Sequence, residues 1–310
     1  MKIAVPDLIS NSYFPAVAAV ELGLLKDEGA AAEVELIFPV DRAYAALRKG
    51  EVDFVAGSAH SALSAFPEWK GVKLLCAQGQ GMYWFLVMRR DLKPQRNDLS
   101  IVKGRRIGAA PWVDMGLKRL LVAAGIDLVR DEVQIGPVPG AEGTTVNFGL
   151  TAAYALEKGL IDGFWANGMG TETAVRSGAG SIVLDVRRGD GPPGCFNYTL
   201  ASIATSERNI GKDTKLVEAM VRAIVRTHEI LKRDPDRASE VGAKLFPKSE
   251  ATLIATLIRR DAPYYDASIS EATVHDMNAF CRDLGILAGA PSYGDVVATG
   301  LQSLWYSGAR

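Results

Sequence analysis

Short apolar blocks alternate along the chain with longer stretches in which apolar residues recur every three or four positions. The blocks read as strands buried in a sheet, the longer stretches as helices packed on it. Residues 2–6 form a first strand, and a helix follows that runs to about Leu22 and stops at Gly23. Ser12 is its expected N-cap, and Pro15 suits its first turn. Residues 33–38 alternate and read as a strand with one wet face. Asp41 is expected to cap a helix ending at Lys49. A strand at 52–55, a short helix at 58–65 and a strand at 72–78 come next. After a Gly-rich turn, the apolar run ending near Arg90 reads as a long strand that crosses into a second unit. A polar connection then leads to a strand at 107–110. Residues 111–124 give the clearest helix, with Trp112, Met115, Leu117, Leu120, Leu121 and Ala124 at helical spacing and Gly125 at its end. Strands at 133–138, 161–165 and 181–186, a helix at 152–158, and a return strand at 195–203 complete the middle. The remainder is helical, at 215–232, 251–258 and 269–284. Tyr264, Tyr265, Phe280 and Trp305 are expected to pack this tail onto the first unit.

One phrase occurs twice. Residues 46–58 (ALRKGEVDFVAGS) return as residues 155–167 (ALEKGLIDGFWAN). Each copy reads as a helix end with a lysine in its last turn, a glycine, a short apolar strand and a polar turn. Gly50 and Gly159 fall where a helix end wants positive φ. Upstream, 3–6 and 107–111 are both short strands running into a proline. Two similar α/β units imply two lobes with a cleft between them. The ends of the chain build one lobe (1–87 with 197–310) and the middle builds the other (88–196), joined by two crossing strands.

Composition narrows the function. At 310 residues the chain can bury a sizeable core. A formal net charge of -1 argues against a general nucleic-acid or anionic-membrane surface. Cys76, Cys195 and Cys281 form no spaced pair, so no disulfide framework or zinc spacing emerges, and one disulfide stays open. No signal-peptide pattern follows Met1, and no apolar run is long enough to span a membrane. The chain is therefore cytoplasmic if Met1 is the native start, and periplasmic if Met1 begins a processed form.

Taken in order, AAVELGLLKDEG (18–29), ALRKGEVDFVAGSAHSAL (46–63), DLSIVKGRRIGAAPWVDMGLKRLL (98–121) and ALEKGLIDGFWANGMGTETAV (155–175) carry a resemblance. Together they resemble the type II periplasmic binding proteins of the thiamine-pyrimidine-synthase-like and sulfonate/taurine-binding (SsuA-like) group. The resemblance covers nearly the whole chain. It implies two α/β lobes that close over a small organic solute, which many members deliver to an ABC importer. Some relatives instead make a thiamine pyrimidine precursor with a Cys-rich signature. The matching stretch here, 194–198, carries one cysteine, Cys195.

In open α/β sheets, ligands bind beyond the carboxyl ends of the strands. Loops 10–14, 57–61, 111–114 and 165–169 meet that test, and Gln80, Trp84 and Asn197 lie near the crossings. The candidate ligand-binding residues are Asn11, Tyr13, Phe14, Ser58, His60, Gln80, Trp84, Trp112, Asp114, Trp165, Asn167 and Asn197. The tryptophans suit a flat, aromatic or heterocyclic ligand, or else serve as hinge packing. Asp114 either accepts from a ligand N–H or favours the helix dipole. His60 is the histidine best placed for function, whereas His228 and His275 fall inside tail helices. No nucleophile, phosphate-loop or metal motif exists. The expectation is a monomeric solute-binding protein with no catalysis, metal or cofactor. Its partners are a small organic ligand and the membrane subunits of an ABC importer, with no nucleic acid. Closure hinges at 86–89 and 194–197. The alternative is a cytoplasmic enzyme on the same fold, a thiamine-pyrimidine-synthase relative using His60 and Cys195.

Overall fold

The computed structural model describes residues 1–306. The strands are β1 (Lys2–Val5), β2 (Glu33–Leu36), β3 (Phe54–Ser58), β4 (Val72–Gly79), β5 (Phe85–Arg89), β6 (Arg106–Ala109), β7 (Gln134–Gly136), β8 (Gly163–Ala166), β9 (Gly180–Asp185) and β10 (Ala201–Ser206). They form two five-stranded sheets, ordered β2-β1-β3-β10-β4 and β7-β6-β8-β5-β9. The two orders are the same plan. In each, the first three strands pair in parallel and one antiparallel strand is inserted next to them: β10 in the first sheet, β5 in the second. The repeated phrase makes matching contacts in the two sheets. Asp53 Oδ2 accepts the backbone N–H of Lys2 at 2.8 Å, and Asp162 Oδ2 accepts that of Arg106 at 2.9 Å. Each copy thus ties the start of its own strand to the parallel neighbour beside it, β1 or β6. Gly50 and Gly159 both hold positive φ, 79° and 68°.

Of the helices, α1 (Phe14–Glu21), α2 (Leu24–Asp27) and α3 (Val40–Lys49) belong to the first lobe. The second lobe carries α4 (Val113–Ala123), α5 (Phe148–Glu157) and α6 (Gly168–Arg176). The tail adds α7 (Glu207–Lys212), α8 (Thr214–Arg233), α9 (Arg237–Leu245), α10 (Lys248–Ala251), α11 (Ile254–Asp261), α12 (Glu271–Asp283) and α13 (Tyr293–Val296). The tail packs onto the first lobe: α8 lies on α1, Trp305 donates its indole N–H to Leu75 in β4, and Tyr265 stacks on His228 of α8. None of the described helices is long and apolar enough to cross a membrane. The three cysteines are free and buried.

Several local expectations change. The apolar run near 84–90 is not a crossing strand: β5 lies wholly in the second sheet, so the chain passes between sheets at 80–84, and a hinge at 86–89 would break a fully paired strand. The return strand begins at Ala201, because the N–H groups of Asn197 and Tyr198 are used in a tight 3-10 turn by Gly194 and Cys195. Ser12 does not cap α1. Tyr13 holds the cap position without a side-chain bond, and the Ser12 hydroxyl is buried without a protein partner. Pro39 precedes α3, which puts Asp41 inside the first turn rather than at the cap.

Candidate ligand site between the lobes

The loops that leave the parallel strands of the two sheets meet face to face. From the first lobe come Pro6 and Asp7 after β1, Tyr13 before α1, and Phe38 and Val40 after β2. From the second come Ala110 and Val113 after β6, Phe148 at the start of α5, Ala166 at the end of β8, and Asn167 after it. Tyr83 and Trp84 fill the first crossing. These residues wall a cavity of about 30 Å³, space for about two water molecules. The walls are mostly apolar and include five aromatic rings. Phe38 of one lobe stacks on Phe148 of the other with ring centres 5.8 Å apart, and the hydroxyls of Tyr13 and Tyr83 meet at 2.9 Å.

The cavity is small because the lobes are latched around it. Asp7 Oδ2 accepts the Gly149 N–H and the Asn167 side-chain N–H, both at 3.0 Å. The Phe38 N–H donates to the Thr144 carbonyl, and the Leu8 N–H to Asn147 Oδ1. Asn11 accepts the Met169 N–H at 3.0 Å and donates to Asp261 at 2.6 Å. Asp261 in turn pairs with Arg187 and Arg188, which follow β9. Arg187 is buried, its guanidinium packed over the Tyr83 and Tyr264 rings.

His60 completes the latch from the turn after β3. It is fully buried, and burial lowers its pKa to about 4. The ring is therefore neutral near pH 7. Since a carbonyl can only accept, Nε2 carries the proton and donates to the Trp112 carbonyl at 3.0 Å, while Nδ1 accepts from the Thr199 hydroxyl at 2.9 Å. Trp112 holds φ 69° and ψ -36°, a conformation unusual for a non-glycine residue, with its carbonyl turned to His60.

Of the residues singled out from the sequence, Tyr13, Trp84 and Asn167 wall the cavity. Asn11, His60 and Trp112 join the lobes beside it. Asn167 is fixed by capping α6, accepting from Met169 and Gly170. The others do not reach the cavity walls. Phe14 is core, edge-on to Phe246 with ring centres 6.2 Å apart. Ser58 is buried beneath Tyr44 and bonded to Ser61. Gln80 ties down the tail carbonyls of Asp266 and Ser268. Asp114 is neutralised by Lys118 one turn on, and Asn197 is held by Asp276. Trp165 lies in the second-lobe core, 6.0 Å from Trp84 between ring centres, its buried indole N–H without a protein partner.

The residue that sequence reasoning passed over is Asp7. It is 5% exposed, and burial raises its pKa to about 6. Its signal was present: an acid directly after an apolar strand that ends on the cleft side. Phe38 and Phe148 were also missed as walls, since nothing in the sequence sets two distant phenylalanines face to face. Among the described residues, no three or more His, Cys, Asp or Glu side chains gather as a metal-ligand set.

No protein-family model matches the chain, and no curated protein matches it by sequence. Solved structures do match. The periplasmic nitrate-binding protein NrtA from Synechocystis superposes with a TM-score of 0.75 at 12% identity, covering 97% of this chain and 86% of its own. The alkanesulfonate-binding protein SsuA from Xanthomonas axonopodis, bound to MOPS, gives 0.67 at 13% identity, covering 97% and 96%. The desulfurization enzyme DSZB gives 0.63 at 14% identity, covering 96% of both chains. At these identities the likeness is one of fold. Two sheets of matching order, two crossings and the structural likeness to these solute-binding proteins give one conclusion: the chain has the two-lobe α/β fold of the type II periplasmic binding proteins.

Proposed function

We propose that this chain is a solute-binding protein that closes two lobes over a small organic molecule and presents it to the membrane subunits of an ABC importer. The observation that carries this reading is the cavity: strand-end loops of both sheets converge on one aromatic-walled space with Asp7, Asn167 and two tyrosine hydroxyls as its polar features. Flat aromatic walls with few polar groups suit a flat, partly apolar ligand. The fold likeness to periplasmic nitrate- and sulfonate-binding proteins supports the same reading. The lobes on this reading are joined through 80–84 and 195–200, where the chain passes between sheets, and those stretches act as the hinge.

The fold likeness to DSZB keeps an enzyme in view, but His60 and Cys195, the reactive groups expected of an enzyme on this fold, are poorly placed for that role. Burial pushes the Cys195 thiol up to about 11, so little thiolate exists near pH 7. Both His60 nitrogens are already engaged.

A space of about 30 Å³ admits no organic solute, so the lobes must part before binding. Solution scattering, with and without a ligand found by thermal-shift screening, tests the reading. A smaller radius of gyration and a raised melting temperature with ligand are expected. A ligand that raises the melting temperature, leaves the profile of an open free protein unchanged and binds Trp84→Ala as tightly would remove the cleft as the site.

A further inference from the structure

Most of the buried aspartates are matched to arginine. Asp162 pairs with Arg106 and Arg89, Asp185 with Arg188, Asp190 with Arg96, and Asp261 with Arg187 and Arg188. Asp7 is buried to the same degree, yet it has no ion-pair partner among the described residues. Its hydrogen bonds come from neutral groups: the N–H of Ile9 to Oδ1, and the N–H groups of Gly149 and Asn167 to Oδ2. Gly149 lies in the first turn of α5, so the helix end offers a partial positive charge and no more. Oδ1 retains an acceptor position. A buried carboxylate without a counter-charge is costly, and the environment of Asp7 already shows that cost in its raised pKa.

The surroundings indicate what would relieve it. No lysine or arginine stands among the cavity walls, and Asp7 is their sole carboxylate. The rings of Tyr13, Phe38, Tyr83, Trp84 and Phe148 complete the enclosure, and aromatic faces attract cations. An anion held there would meet a carboxylate at close range with little screening. Glu250, the other buried carboxylate without an ion pair among the described residues, sits in the short helix α10, bonded to Ser249 and outside the cavity walls.

We propose that Asp7 is the counter-charge for the solute, which therefore carries a cationic nitrogen, a protonated amine or amidine, on a flat apolar body. This rests on the reading of the interlobe cleft as the solute site. It sets the ligand of this chain apart from the nitrate and sulfonates in the names of its structural neighbours.

The test holds the ring constant and varies the charge. The full chain is titrated calorimetrically with benzamidine, benzylamine, benzyl alcohol, benzoate and benzenesulfonate at pH 7.5. The cations should bind about tenfold or more tighter than the alcohol and the anions, and Asp7→Asn should abolish that ranking. The ranking in the unsubstituted chain decides the matter even if Asp7→Asn does not fold. Benzoate or benzenesulfonate binding as tightly as the cations, with Trp84→Ala weakening it, would leave a solute-binding protein and overturn the counter-charge. An equal loss for all the compounds in Asp7→Asn would make Asp7 a cap on α5 across the cleft and would also overturn it. No binding by any of the series, in a chain that also shows no closure in solution scattering with any screened solute, would overturn both readings.

Discussion

His60 and Trp112 join the two lobes through one hydrogen bond, from the imidazole Nε2 of the first to the main-chain carbonyl of the second at 3.0 Å. The bond uses the backbone of Trp112, so it survives any side-chain change there that leaves the turn intact. Its other partner is less replaceable. Phe280 and Trp84 pack edge-on against the ring of His60, with centres at 5.5 and 6.2 Å. His60→Ala removes the donor and leaves a gap among those rings. It should cost about 2–4 kcal/mol of stability and increase the radius of gyration of the ligand-free protein. An unchanged melting curve together with an unchanged scattering profile would show that the bond does not hold the lobes.

Acid should destabilise the fold before the ordinary carboxylates titrate. Burial lowers the pKa of His60 and His228 from 6.5 to about 4. Above pH 6.5 both are neutral, folded or unfolded, and contribute nothing. As pH falls toward 4 only the unfolded chain takes up the protons, and stability is lost. Asp7 acts in the opposite sense: raised from 3.8 to about 6, it destabilises the fold above pH 6, and that penalty fades as pH falls toward 3.8. Each group is worth on the order of 3 kcal/mol, so two histidines against one aspartate leave a net loss of that order between pH 7 and 4. Urea unfolding across this range measures it, and His228→Gln should flatten the slope. A flat profile in the unsubstituted chain would contradict the neutral, buried histidines.

Asp261 holds a different part of the closed form. It takes Arg188 at 2.8 Å, Arg187 at 3.5 Å and the Asn11 amide at 2.6 Å. Asp261→Asn leaves the buried Arg187 guanidinium without its counter-charge and should cost about 3–5 kcal/mol. Asn11→Ala, which leaves the ion pairs in place, should cost less. Chemical denaturation of both variants side by side checks the order; an equal loss would mean the ion pairs add nothing beyond the amide.

The repeated glycines make a smaller, matched prediction. Gly50→Val and Gly159→Val place a β-branched residue at φ 79° and 68° and should each destabilise by about 1 kcal/mol or more. A Cβ at Gly50 also meets the Arg208 guanidinium, whereas one at Gly159 has nothing nearer than Arg89 at 3.9 Å. The Arg208 tip is exposed and can swing away, so the two losses should be alike. Unchanged melting in both glycine variants would contradict their left-handed conformations.

The sequence by itself determined the two-lobe plan. Strand length, helical spacing and the echoed phrase are local properties, and local propensity forms the same elements wherever the chain goes. Gly50, Gly159 and Gly125 mark helix ends because their backbone needs are met within a few residues. The loops at the strand ends were legible for the same reason: Tyr13 and Asn167 came from that rule, and Trp84 from its place near the first crossing. What the tertiary structure decided is which side chains in those loops face the cleft. Phe14 lies one residue from Tyr13, yet it turns into the core against Phe246. Gln80 and Asn197, near the crossings, are taken up by the tail, whose path no local pattern specifies. The charge of Asp7 is the clearest case. A surface aspartate and a buried, unpaired one read the same along the chain, and only the approach of α5 from the other lobe makes the difference. Pairing across hundreds of positions is set by how two lobes pack, and that is a property of the closed fold, which no stretch of the sequence carries alone.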